Sequence, residues 1–336
     1  MTFFGIRCCP VSMPWDRRLQ TWTVVAWALL FSLSVLIPTL TLYFWIFHSN
    51  YLWPFALFYM AWCFYDLDTC NKGGRRIEWV RHCSFWKHLA DYFPVKIIKT
   101  AELDSENGNY LLGSHPHGIL CSGAFISFAT DGAGWSKNFP NLVPNFLMLP
   151  AFFQAPGLRE IMSLLAASAS TPKNIDYLLG NHKNGQAVVI VIGGTREVNC
   201  LDRDHNHIDL VILNRKGFVK KALKHGASLV PTFTFGEAFV YSNMFSNSKG
   251  SISRNTQLNF LAKIGCPVPL FLGRGIFNYS FGILPRRQPL TIVGKFLFSI
   301  LFTKSNVVDI LYSEILHSSR YLKVLKYFWR SLYFTK

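Results

Sequence analysis

Two short segments hold side chains able to move a proton. His115-Pro116-His117-Gly118 follows the apolar run YLLGS (Tyr110–Ser114). An imidazole titrates near neutral pH, so one of these histidines is a candidate general base. Pro116 fixes the backbone, and Gly118 admits a second group at close range. In a chain with 10 histidines, one such pair by itself reads first as a structural cap of a helix. Gly193-Gly194-Thr195-Arg196-Glu197 closes a second apolar run, AVVIVIGG (Ala187–Gly194). Paired glycines at a strand end let backbone amides approach an oxyanion or phosphate. Glu197 is placed to orient a histidine and stabilise its imidazolium. The alternative is a tight turn with a surface acid.

A third segment, Arg215 to Gly226, is basic. Lys216, Lys220 and Lys224 recur every fourth residue and share one helix face, and no acid occurs between Leu210 and Gly236. Such a face suits the phosphates of a nucleotide-bearing co-substrate or an anionic lipid surface, or is simply a solvated helix. A second histidine pair, His205-Asn206-His207, lies in a polar, Asp-rich stretch whose acids have no ligand spacing, so no metal site is expected. No GxGxxG, P-loop or GxSxG motif occurs, and the basic residues match no nucleic-acid module, so a nucleic-acid partner is not expected. The eight cysteines include no CxxC pair and read as reduced thiols.

The elements that must position these groups follow from apolar patterning. YLLGS, AVVIVIGG and SLVPTFTFGE (Ser228–Glu237) read as strands, the last placed at an edge or bulge by Pro231. Leu158–Ala167 and Gly217–His225 read as helices between them. Alternation of this kind predicts an α/β fold with a mostly parallel sheet covered by helices. Ligands of such sheets sit at the carboxyl ends of the strands.

The chain of 336 residues is 50% hydrophobic and only 15% charged, which excludes a largely disordered protein, and its net charge is +16. A chain both apolar and basic points to a membrane surface and anionic partners. Trp22 to Phe47 is uncharged over 26 residues, about 39 Å as a helix, with Pro38 as a candidate kink. Tyr51 to Tyr65 forms a shorter apolar return. Arg7, Arg17 and Arg18 precede this pair, and Lys72, Arg75, Arg76 and Arg81 follow it, which puts both flanks on the cytosolic side. The expected organisation is a cytosolic segment 1–21, a membrane-embedded hairpin 22–65, an α/β domain 66–294, and an apolar, basic segment 295–336 suited to a membrane-surface helix.

Several motifs together carry a resemblance. PWDRRLQT (Pro14–Thr21), GGRR (Gly73–Arg76), DYFPVKIIKTAEL (Asp91–Leu103), NYLLGSHPHGIL (Asn109–Leu120), VIGG-x-x-E (Val191–Glu197), NRKGFVKKALKHGASLVPTFTFGE (Asn214–Glu237) and GRGIFNYSFGILPRRQPLTIVG (Gly273–Gly294) occur in that order. With the hydrophobic hairpin, this series resembles the type-2 diacylglycerol acyltransferase family, and most of all its monoacylglycerol acyltransferases. The resemblance implies a glycerolipid-acyltransferase-like fold. It also implies acyl transfer from acyl-CoA to 2-monoacylglycerol, without a permanently bound cofactor or metal. Diacylglycerol and long-chain alcohol are the alternative acceptors.

On the residues, the resemblance implies His117 as general base, His115 as a positioning group and Glu197 as support for the imidazolium. Amides near Gly118, Gly193 and Gly194 would face the oxyanion, and Arg215, Lys216, Lys220 and Lys221 the CoA phosphates. The implied partners are acyl-CoA, monoacylglycerol or a related acceptor, the lipid bilayer, and a second copy of the chain or other lipid-synthesis enzymes. The implied location is the endoplasmic reticulum membrane, with the catalytic domain and both termini cytosolic. Three departures stand out: GGTREVN replaces the family's GGAxEAL and sets Arg196 beside Glu197 as a rival ion-pair partner, SLLAASAST (Ser163–Thr171) replaces a glycine-containing segment, and the sequence after Gly294 leaves the family pattern. They keep open a protein of another class, a catalytically inactive family member that binds lipid or a partner.

Overall fold

The computed structural model describes residues 2–3, 6–10, 12–49, 51–100, 102–106, 108–180, 184–198, 210–212, 215–244, 251–264 and 271–294. The His205/His207 pair and the segment 295–336 lie outside the described residues.

The architecture is mixed α/β, as the alternation predicts. A seven-stranded sheet is built from β1 (Lys96–Lys99), β2 (Tyr110–His115), β3 (Val143–Met148), β4 (Ala167–Ala169), β5 (Gln186–Val191), β6 (Ser228–Phe235) and β7 (Thr291–Gly294). Their spatial order is β1-β7-β6-β2-β5-β3-β4. Five of the six neighbouring pairs are parallel, and only β6–β7 is antiparallel. Parallel strands need both faces covered. Helices α1 (Trp15–Phe47), α2 (Trp53–Tyr65), α3 (Ser84–Tyr92), α4 (Leu158–Leu164), α5 (Pro172–Gly180), α6 (Thr195–Val198) and α7 (Gly217–His225) accompany it.

The period-2 alternation of the strands sorts the core into two layers. Tyr110, Leu112, Val189, Val230 and Ile292 face Val24 and Trp27 of α1, Leu89 and Tyr92 of α3, and Phe125 and Phe128. Leu111, Val188, Leu229 and Phe233 face Ile175 and Leu178 of α5 and Phe218, Val219, Ala222 and Leu223 of α7. Burying each such side chain stabilises by about 2 kcal/mol.

Three expectations need correction. β6 is an interior strand, between β2 and β7, not an edge. Pro231 lies opposite Gly113 of β2, and the described β6–β7 register ends with Gly294 opposite Thr232. The helix expected over Leu158–Ala167 stops at Leu164, and Ala167–Ala169 instead pairs with Phe146–Met148 as strand β4. The bend in α1, 50° between Trp15–Leu30 and Leu33–Phe47, falls ahead of Pro38. It lies where the helix leaves the core. Trp27 is fully buried, its ring centroid 6.0 Å from that of Phe125, whereas Leu36, Ile37 and Leu40 are more than half exposed. Beyond it, α2 shows Phe55, Phe58 and Phe64 to the outside.

A buried ion cluster ties this helical pair to the domain. Arg159 donates to Asp66 Oδ2 at 2.9 Å and to the Cys63 carbonyl at 2.8 Å, and Arg75 also pairs with Asp66. Asp66 follows the last residue of α2, so the ion pair fixes the exit of the apolar hairpin. Among the described residues no single helix is long and apolar enough to cross a membrane; the two halves of α1 meet that test only together, as a bent pair. No disulfide forms among the six described cysteines.

Candidate active site

β2 and β5 are adjacent parallel strands, with Ser114 opposite Val191. Their carboxyl ends therefore deliver His115-Pro116-His117-Gly118 and Gly193-Gly194 side by side, though His115 and Gly193 are 78 residues apart in sequence. Glu197, on the short α6, turns inward between them and is buried, as is His115.

The Glu197 carboxylate accepts from His115 Nδ1 at 3.1 Å, from the His117 amide at 2.9 Å and from the Val211 amide at 3.0 Å. Burial alone would raise its pKa. The bond and charge of His115, with the two amides, outweigh burial and hold the pKa below its ordinary value. Glu197 thus meets the backbone of His117 and the ring of His115, not the ring of His117. Arg196, the feared competitor, is exposed on the outer side of α6 and makes no ion pair with Glu197, whose oxygens are taken by the partners above.

The His117 ring is only half-buried. Its Nδ1 lies 2.9 Å from the Gly118 carbonyl. A carbonyl only accepts, so Nδ1 carries the proton and Nε2 keeps its lone pair. Burial lowers the pKa of the imidazole below 6.5, against the opposing pull of the Gly118 carbonyl and Glu197. The ring is therefore neutral at neutral pH, the state a base requires.

The glycines differ in what they permit. A Cβ on Gly193 would stand 1.8 Å from Glu197 Cδ, so the carboxylate already fills the space in front of it. Gly194 has φ +57° and open space on that side. Gly118 has φ +61°, and a Cβ there would meet Glu237 Cγ at 2.6 Å.

The sequence does not single out Glu237, which closes the loop from below. Its two oxygens accept from the amides of Ser122 and Gly123 at 2.7 and 2.8 Å. Burial pushes its pKa up to about 7, against those amide bonds. An acid directly after an apolar strand, with a glycine before it, is the only sequence signal it offers.

The basic helix is as expected in extent, Gly217–His225, but its cations divide. α7 ends beside the start of β6, where Ser228 lies opposite Tyr110, so its first turn points to the His115 end of the sheet. Arg215 and Lys216 are exposed at that end, a few residues after the Val211 amide that holds Glu197. Lys220 is exposed one turn further along. Lys221, Lys224 and His225 instead converge on Asp176 of α5, at 2.5, 3.3 and 2.7 Å. Burial opposes ionisation of Asp176, but these three bonds outweigh it and hold its carboxyl far below the ordinary value. Among the described residues no three His, Cys, Asp or Glu side chains converge as a metal site needs.

At the carboxyl edge of the parallel sheet, a half-buried imidazole thus lies beside a loop whose backbone is held by a buried carboxylate. Comparison with known proteins gives the class of reaction. The family model for diacylglycerol acyltransferase matches residues 44–305. The 2-acylglycerol O-acyltransferase 1 of Bos taurus is 40% identical over 291 residues, covering 86% of this chain and 85% of that protein. Diacylglycerol O-acyltransferase 2B of Umbelopsis ramanniana is 40% identical over 284 residues (84% and 78%). Acyl-CoA wax alcohol acyltransferase 1 of Homo sapiens is 42% identical over 245 residues (73% of each). The chain belongs to the diacylglycerol acyltransferase family, and it is an acyltransferase.

Proposed function

We propose that this acyltransferase moves a fatty acyl group from acyl-CoA to 2-monoacylglycerol, releasing diacylglycerol and CoA, with His117 as general base. The observation that carries the reading is the fixed His117 ring, Nδ1 on the Gly118 carbonyl and the backbone amide on Glu197. Nε2 takes the acceptor's hydroxyl proton as that oxygen attacks the thioester carbonyl carbon. The tetrahedral oxyanion is met by amides of the glycine turns, Gly194 having the open side; each such donor is typically worth about 3 kcal/mol. The C–S bond then breaks, and the thiolate leaves with the proton held by His117. Glu197 acts through the loop, keeping both histidines in place. No permanently bound cofactor takes part.

Arg215 and Lys216 at the site end of α7, and Lys220 beyond them, meet the CoA phosphates, Arg as the bidentate partner. Lys221 is drawn off by Asp176 and serves the fold instead. The exposed apolar sides of α1 beyond Leu33 and of α2 lie in the bilayer of the endoplasmic reticulum and pass acyl chains to a domain on its cytosolic side. A glycerolipid-acyltransferase-like fold accords with the mostly parallel sheet.

Purified protein given labelled acyl-CoA with 2-monoacylglycerol, diacylglycerol or a long-chain alcohol tests the reading. Diacylglycerol is the expected main product. Triacylglycerol or wax ester as the main product would reassign the acceptor. No product above a His117→Ala control would leave an inactive lipid-binding member.

A further inference from the structure

Four arginines gather on the α1 side of the sheet with no ion-pair partner among the described residues. Arg274 is buried, 5% exposed, and its guanidinium lies between two rings, 5.3 Å from the Tyr92 centroid and 5.2 Å from that of Tyr279. Arg287 lies 4.4 Å over the same Tyr92 ring and donates to Gln20 Oε1 at 2.6 Å. Arg274 reaches Thr21 Oγ1 at 3.4 Å and the Tyr92 hydroxyl, and its buried Nε has no hydrogen-bond partner among the described residues. Arg17, one turn earlier on α1, is close enough to repel Arg287. Arg286 donates to Ser242 Oγ.

The ion pairs among the described residues use Arg75, Arg76, Arg81 and Arg159, and none includes Arg17, Arg274, Arg286 or Arg287. The tyrosines do not neutralise the cluster. Burial pushes Tyr92 up to about 12, so it stays uncharged, and its hydroxyl is spent on the Pro285 carbonyl at 2.7 Å. Burial, then Arg17 and Arg274, pull Arg287 down to about 10, and it remains a cation at neutral pH.

Buried charges are normally paired. We propose that Arg17, Arg274 and Arg287 form a binding site for a phosphate group. Guanidinium forks match phosphate oxygens bidentately, and the unpartnered Arg274 Nε supplies a donor. The site is separate from the cations of α7. It lies at the foot of α1, on the turns that show Trp15, Leu19 and Trp22 to the outside. Indole rings there suit the headgroup level of a bilayer. It also lies at the carboxyl end of β6, where Pro289 O abuts Gly236, so it shares the edge of the sheet with His117. Two sources of the phosphate fit: a phospholipid headgroup, which stands whether or not the acyl-transfer reading holds, and the nucleotide of CoA, which rests on that reading.

Full-length protein in detergent micelles is titrated with dihexanoyl phosphatidate, adenosine 3′,5′-bisphosphate and, as the uncharged control, dihexanoylglycerol. Saturable binding of a phosphate-bearing probe is expected, with Kd rising roughly tenfold in Arg287→Gln and recovering only in part in Arg287→Lys, which keeps the charge but not the fork. A loss confined to phosphatidate assigns the headgroup, and one confined to the bisphosphate assigns CoA. Arg274→Gln adds a second measurement if it folds, while the half-buried Arg287 carries the test alone. If Arg287→Gln binds both phosphate probes as the parent does, or if the control weakens equally, the proposal falls.

Discussion

Glu197 divides its carboxylate among His115, the His117 amide and Val211, and this division decides what each residue contributes. Because burial lowers the His117 pKa, the base stays neutral until the pH falls below 6.5. The acid limb of kcat/KM is therefore expected below that value, and a limb at or above it would remove His117 as the base. His115→Ala leaves Glu197 buried without its ring partner, though still held by the His117 and Val211 amides, which costs about 1–3 kcal/mol. A lowered Tm should accompany its loss of activity, whereas the half-buried His117 should lose activity with little change in Tm. Gly193→Ala tests the packing directly. Its methyl would need the space of the Glu197 carboxyl, so activity should drop as in Glu197→Ala while Gly194→Ala, limited only by its positive φ, should fall less. HPHG and GG-x-x-E are visible as words in the sequence. That the acid meets the first ring and the second backbone amide is not, because the register of β2 against β5 sets it.

α7 is legible in the sequence to the residue, since its apolar positions 218, 219, 222 and 223 recur at helical spacing before Gly226. The division of its cations is not, because Asp176 comes from a helix 45 residues earlier that packs alongside. Arg215→Ala and Lys216→Ala should raise KM for acyl-CoA severalfold, more at low salt than at high. Lys221→Ala should leave that KM unchanged and lower Tm instead. Equal KM effects from all three would mean that the whole helix face meets CoA. β6 shows the converse limit. Pro231 argues locally for an edge strand. Packing between β2 and β7 overrides it, with Pro231 opposite Gly113 in the interior of the sheet.

For the whole molecule, the decisive feature is that one helix serves two environments. Up to Trp27, α1 buries one face, with Thr21, Thr23, Val24 and Trp27, in the core, and beyond Leu33 Leu36, Ile37, Leu40 and Phe44 are turned outward beside the apolar side chains of α2. Leu40→Arg and Phe58→Arg, each more than half exposed, should leave the folded domain intact by circular dichroism and move the protein from the membrane fraction toward the soluble one. Unchanged flotation with vesicles would show that the membrane is not held through this hairpin.

The sequence by itself determined the fold class, the apolar pair of helices, the basic helix and the histidine and glycine motifs. Each of these is written in local periodicity or in short runs of residue types, which act within a few residues of themselves. Only the tertiary structure decided which groups meet: Glu197 with His115, Glu237 beneath Gly118, Asp176 with half of the basic helix, and Arg274 with Arg287 around Tyr92. Those pairings join residues far apart in the chain. Their energies depend on burial and on distances of a few ångströms, which strand order and helix packing fix and residue spacing does not.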